Sequence, residues 1–194
     1  EFDPTIALTP DTSAADSPAG LTVGVHIPQN EEFENEAEEP QLAEAHLKDA
    51  KGTLPAGVTI NPSAANGRGA CSAAQIGLTT PVGQAAHPHF SAAPASCPDN
   101  AKVGTVEVET PLLDHPLPGS IYLAAPYENP FGTLLAIYIA VYDPVTGIVA
   151  KLPGRVEADQ ASGQLTTTFT ENPQLPFEDF RLQFFGGPRA ALRT

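Results

Sequence analysis

Between Ser120 and Phe185 short apolar runs alternate with turn signals at such close intervals that successive runs must be neighbours in space. Thr133-Leu-Leu-Ala-Ile-Tyr-Ile-Ala-Val-Tyr142 is one continuous apolar run; Asp143-Pro-Val-Thr-Gly147 follows, and Ile148-Val-Ala-Lys-Leu152 resumes. A link of roughly three to five residues ending in glycine, set between two β-branched runs, is a hairpin signal. The same punctuation returns as Asp159-Gln-Ala-Ser-Gly163, between Arg155-Val-Glu157 and Gln164-Leu-Thr-Thr-Thr-Phe-Thr170, so the spacing predicts a meander of three consecutive antiparallel strands. In the first of them Leu135, Ile137, Ile139 and Val141 share one face while Leu134, Ala136, Tyr138 and Ala140 share the other. Neither face is wet, so this strand should lie inside the sheet with cover on both sides. The next two alternate more cleanly: Ile148, Ala150 and Leu152 against Val149 and Lys151, then Leu165, Thr167 and Phe169 against Thr166, Thr168 and Thr170. Each is expected to have one buried and one solvated face.

Composition supports short strands over helices. Twenty-one prolines and 16 glycines among 194 residues interrupt long helices and supply turns. A hydrophobic share of 41% is too high for wholesale disorder. The length suits one core, and a single module over 1–194 is expected. A net charge of −14, with only nine scattered Lys and Arg, argues against a nucleic-acid partner. No apolar run approaches the roughly 18 residues of a membrane-spanning helix. Glu1-Phe2-Asp3-Pro4 lacks the basic start and apolar middle of a signal peptide, and a mature or excised piece is expected.

Thr5-Ile-Ala-Leu-Thr9 is a short strand flanked by Pro4 and Pro10; Leu21, Val23, Val25 and Ile27 alternate inward against Thr22, Gly24 and a solvated His26. Glu31 to Glu39 then places six Glu in nine residues within an acidic loop over 31–46. Calcium loops space Asp, Asn and Gly around a turn rather than stringing Glu together, so a solvated loop is the preferred reading. Strand segments are expected over 47–54 and 57–60, broken by Pro55, and single helical turns at Pro62 to Ala65, capped by Asn61, and at Ser72 to Gln75. Cys71 and Cys97 enclose a Pro- and Ala-rich stretch with no regular pattern, in the irregular region 61–101. Two isolated cysteines in an oxidising compartment pair, and a disulfide here would staple a segment with little core; the alternative is two buried thiols. Strands resume over 102–185: Lys102 to Glu109 with Val106 and Val108 inward, and Phe180, Leu182 and Phe184 on one face before Gly186. About ten short strands at turn-separated intervals imply an all-β antiparallel β-sandwich, immunoglobulin-like or jelly-roll-like, with a C-terminal meander and long Pro/Gly/Ala-rich loops.

Catalytic chemistry has no anchor in the pattern. No Gly-x-Ser-x-Gly occurs, and Asp114-His115, the best acid–base pair, sits on a Pro-bounded turn where adjacent residues point different ways. His87-Pro-His89 lacks a third ligand, so no metal and no cofactor are expected. Aromatic residues gather around Ala125-Pro-Tyr-Glu-Asn-Pro-Phe-Gly132; Tyr127 and Phe131, with Asn129 beside them, are the loop-borne residues that could stack on and hydrogen-bond a glycan.

Asn61-Pro-Ser-Ala-Ala65, Ala70-Cys-Ser-Ala-Ala-Gln-Ile-Gly77, Ser96-Cys-Pro98, Lys102-Val-Gly-Thr105, Thr110-Pro-Leu-Leu113, Tyr122-Leu-Ala-Ala-Pro126, Asn129-Pro-Phe-Gly132, Pro173-Gln-Leu-Pro-Phe-Glu-Asp179 and Phe184-Phe-Gly-Gly-Pro-Arg-Ala190 come in one order. In that order they resemble a β-rich module repeated in very large secreted proteins of high-G+C Gram-positive soil bacteria. The resemblance runs from about Thr22 to the end of the chain and implies an extracellular or cell-surface module between similar neighbours. It implies no activity. The expectation is therefore a non-enzymatic structural subunit or tandem repeat of a surface array or filament, with copies of itself or neighbouring modules as partners. Thr5, Ile6, Ala7, Leu8 and Thr9 are the strand it could exchange. The alternatives are a glycan-binding adhesive module and, third, a secreted hydrolase without a recognisable motif.

Overall fold

The computed structural model describes residues 3–29, 45–84 and 87–194. The acidic stretch from Glu31 to Glu39, and most of the expected loop around it, lies outside the described residues. In chain order the strands are β1 (Thr5–Pro10), β2 (Pro18–Ala19), β3 (Leu21–His26), β4 (Ala50–Thr53), β5 (Thr59–Ile60), β6 (Lys102–Glu109), β7 (Leu117–Leu123), β8 (Ala136–Tyr142), β9 (Val149–Ala158), β10 (Leu165–Phe169), β11 (Asp179–Phe184) and β12 (Leu192–Arg193). One helix, α1 (Ala73–Ile76), and three single 3-10 turns complete the described elements. Nine strands form one sheet in the order β1-β3-β11-β6-β7-β8-β9-β10-β4, and β2-β12-β5 form a small second one. Every pairing between named strands is antiparallel.

The meander expected between Ser120 and Phe185 is present, opened by β7, and β6 extends it by a further strand on that side. Its two hairpin turns are copies of each other. Gly147 and Gly163 have φ of 75° and 71°, and each donates its N–H to the carbonyl of the aspartate four residues earlier, at 2.8 Å. Each aspartate also caps its own turn: Asp143 accepts from the N–H groups of Val145 and Thr146, Asp159 from those of Ala161 and Ser162. The pattern Asp-x-x-Thr/Ser-Gly thus builds one turn twice, with glycine where a left-handed residue is required.

The segments Ile148–Leu152 and Arg155–Glu157, together the middle strand of the expected three, are continuous as β9, which runs through Pro153. Pro153 pairs with Tyr138 in β8 and lies one residue beyond the last β9–β10 pair, Gly154–Phe169, so a missing N–H there can face a position with no partner strand. Next to it, Gly154 admits the Phe169 ring; a Cβ at that position would come within 2.7 Å of the ring.

The all-β antiparallel, sandwich-like architecture is as expected, with a difference in how its layers arise. The two facing layers are the arms of a single curled sheet. Leu21 and Leu8, from the first two strands in the order, pack in one cluster with Leu165 of β10, Val156 of β9 and Leu54, near the other end of the order. Contacts between strands so far apart in the ladder require the sheet to bend onto itself. The inner faces then supply the main core: Val106, Val108, Ile121, Ile137, Ile139 and Val141, with Phe180, Leu182, Phe169 and Leu152 packed against them.

The outer face of the meander is covered too, by the irregular region 61–101. Cys71 and Cys97 form a disulfide with Cα atoms 4.9 Å apart, and Cys71, Ile76, Ala124, Ala136 and Tyr138 make a second buried cluster. Asn61 caps the turn at Pro62, as the spacing predicted, and the helical turn expected at Ser72 to Gln75 is α1, closed by a reciprocal capping box of Ser72 and Gln75. With Ile139 inward and Tyr138 outward, both fully buried, β8 is covered on both sides. The same cover reverses one expectation: Lys151, assigned to a solvated face, is only 8% exposed.

Candidate functional site

The inward alternation of eight strands leaves unfilled space at one end of the curl. Where β3 and β6 end and β7 and β9 begin, a cavity of about 400 Å³ opens between the arms. Val25, Val108, Leu117, Val141, Ala150 and Phe180 form its wall, and Phe169 and Phe177 enter from β10 and the connection before β11. Among the described residues Thr110 and Asn172 are the two polar ones lining it. Its rim is apolar as well: Leu112, 68% exposed, and Leu175, 56% exposed, project from proline-bearing turns on either side. At the other end of the curl a second space of about 240 Å³ is lined by Leu54, Val103, Leu123, Leu135, Val156 and Leu192.

A polar brace holds the rim. His115, in the β6–β7 connection that carries Leu112 and Leu113, reaches the β8–β9 turn: its Nε2 is 3.1 Å from Asp143 Oδ2 and its Nδ1 is 2.9 Å from Asp114 Oδ1. The expectation that Asp114 and His115 point apart is therefore wrong. One imidazole lies between two carboxylates, and it can donate to both only when both nitrogens carry protons. Hydrogen bonds to Asp114 and then to Asp143 raise the His115 pKa above its ordinary value. Asp143 is 2% exposed. The Thr146 hydroxyl first, then His115 and the backbone N–H groups of Val145 and Thr146, hold its carboxyl far below the usual carboxylate range, against the burial that opposes ionisation. No hydroxyl or thiol nucleophile is hydrogen-bonded to this imidazole among the described residues. The group fastens two turns together.

The other predicted site residues separate. Asn129, expected to contact a ligand, is fully buried. Its Nδ2 donates to the carbonyls of Ala125 and Thr133 at 3.1 and 2.7 Å, and its Oδ1 accepts from the N–H groups of Phe131 and Thr133. It shapes the loop from within and has nothing left to offer a glycan. Phe131 packs against the disulfide cluster. Tyr127, with φ of 61° and 64% exposure, is the member of the set that stands in solvent. Tyr138, by contrast, buries its hydroxyl with no hydrogen-bond partner among the described residues, and burial pushes its pKa up. The strand Thr5 to Thr9 is not free: it pairs along six residues with β3 of its own chain, from Thr5–His26 to Pro10–Leu21, and forms one edge of the large sheet. His26 lies 3.1 Å from Asp179, both half exposed, and with Glu178 they bring their ligand atoms within 4.8 Å of one another.

Sequence reasoning missed the cavity. Its lining comes from strands and turns spread from Val25 to Leu182, and no local pattern gathers them. The available signal was the leucines at 112, 113 and 175 in proline-rich turns, apolar side chains with no strand periodicity to explain them.

No protein-family profile matches the chain, and neither a curated protein nor a solved structure does. Among the described residues, no helix is long and apolar enough to cross a membrane.

Proposed function

We propose that this chain is a non-enzymatic module of the cell exterior that holds a small apolar molecule between the arms of its curled sheet. The observation that carries the reading is the apolar cavity with its exposed leucine rim. Its volume falls in the range of about 300–1,000 Å³ typical of small-molecule sites. Such sites orient their ligands with a few polar groups; here Thr110 and Asn172 supply them. Among the described residues no cation lines the wall, so the part of a ligand that enters is hydrocarbon, and a charged head would stay at the mouth. The disulfide fits an oxidising compartment outside the cytoplasm.

The test is displacement of a fluorescent fatty-acid analogue from the purified protein. Ala150 lines the cavity, and Ala150→Phe fills it. Wild type should bind saturably and the variant should lose at least about tenfold in affinity while unfolding at the same or a higher temperature, because the added ring occupies empty space. Folded wild-type protein that takes up no apolar probe ends this reading.

A second reading, a structural subunit joined to its copies by strand exchange, draws on β1. Five of the six β1 residues are exposed, Ile6 to 59%, and Leu8 alone is partly covered. A strand held chiefly by its ladder to β3 can make the same ladder to a neighbouring copy. Light scattering over a concentration series separates the two: polymers that vanish when residues 1–10 are deleted support exchange, and a monomer of 20.2 kDa at every concentration removes it.

A further inference from the structure

Four polar side chains are buried among the described residues: Asn61, Asn129, Asp143 and Lys151. Three are accounted for. Asn61 donates to the Ala190 carbonyl and caps a turn, Asn129 makes the loop bonds above, and Asp143 is met by His115 and Thr146. Lys151 differs. Its ammonium donates to the Ser91 carbonyl at 3.0 Å, and no carboxylate lies within ion-pair distance of it among the described residues. An ammonium has three donors, and among the described residues one is used. A buried charge is costly unless paired, which makes an uncompensated lysine under a protein cover a position that asks for an anion.

The surroundings meet that demand. Lys151 lines a pocket of about 270 Å³ on the outer face of the sheet, closed on one side by His87, Pro88, His89 and Phe90 and on the other by Thr170, Glu171 and Asn172 at the end of β10. Each imidazole has an N–H to donate, and the Thr170 hydroxyl and the Asn172 amide add neutral donors. Among the described residues Glu171 is the one carboxylate in the lining, and Lys48 pairs with it at 3.2 Å. Burial lowers the Lys151 pKa, and an anion in the pocket would reverse that shift.

We propose that this pocket binds a small oxyanion, a phosphoryl or carboxylate group, with Lys151 as its charge partner and His87 and His89 as further donors. The site adjoins the apolar cavity, sharing Leu152, Asn172 and Pro173 with its lining, but Lys151, His87 and His89 belong to this pocket alone. The protein's charge of −14 opposes approach of any anion, so binding needs the screening of physiological salt and is expected to be weak.

The experiment is titration of the full chain with inorganic phosphate, and separately with acetate, at constant ionic strength set with chloride, following the His87, His89 and His26 imidazole resonances by NMR. Saturable shifts at His87 and His89 and none at His26 are expected. Response to phosphate alone identifies a phosphoryl-type site, and response to both anions a site that also takes carboxylates. Lys151→Met should weaken binding about tenfold or more, the loss of one charge-assisted hydrogen bond. Should that variant not fold, His89→Gln, at an exposed position, should weaken it severalfold with the fold intact. Absence of saturable shifts with either anion overturns the proposal. So do shifts that neither substitution alters, since Lys151 would then be only a strut to the Ser91 carbonyl.

Discussion

Asn129 shows how one buried side chain can define a surface loop. Its amide spends both donors on the Ala125 and Thr133 carbonyls and its oxygen on two backbone N–H groups, all within a turn that puts Tyr127 into solvent. Asn129→Ala should cost roughly 2–4 kcal/mol, because several buried groups lose their partners together. Asn129→Asp should be no milder, since a carboxylate cannot donate to two carbonyls; urea denaturation measures both. His115 gives a pH signature whose sign follows from its partners. Its folded pKa is raised, so its contribution is complete below the unfolded value of about 6.5 and fades as pH rises through the folded one. Asp143 is depressed, so its contribution is present above about 3.9 and is lost as pH falls. The brace is therefore strongest between about pH 4 and 6.5. The stability difference between wild type and His115→Gln should peak in that window and shrink above it; a difference constant from pH 5 to 9 would mean that the imidazole acts by packing alone.

At the scale of elements, the disulfide and the meander carry separate loads. Cys71 and Cys97 are 26 residues apart, and closing a loop of that length restricts the unfolded chain by on the order of 3–4 kcal/mol. The stapled region has little regular structure, whereas β6 to β10 are tied by continuous ladders. Mild reduction should raise amide exchange across 71–97 and along the outward-facing positions of β8 that the region covers, with the inner core still protected. Cooperative loss of all protection on reduction would show that the sheet depends on its cover. Much at this scale was legible. The two Asp-x-x-Thr/Ser-Gly turns, the Asn61 cap, the helical turn at Ser72 to Gln75 and the double burial of β8 all follow from contacts within a few residues or from strict alternation along one strand. The reason β9 tolerates Pro153 was not, because it depends on where the neighbouring strand stops.

At the scale of the whole molecule, the curl matters most. Leu165 is 5% exposed and packs in the cluster where β3 meets β10, so Leu165→Ala should cost about 2–5 kcal/mol and loosen the two arms. A loss below about 0.5 kcal/mol in urea denaturation, the range of ordinary surface substitutions, would show that the arms do not depend on this contact. The all-β class, the antiparallel meander and the inward faces of β3, β6, β9, β10 and β11 were readable from the chain, since they rest on period-2 patterning and turn chemistry that act over short distances. It took the fold to show that β11 lies between β3 and β6, that one sheet supplies both layers, that Asn129 and Lys151 are buried, and that His115 lies between two carboxylates. Each of those depends on segments tens of residues apart meeting in space. Alternation along a strand says which side chains point inward; what they meet there, another arm, a cover or an unfilled cavity, is set by how the whole sheet bends.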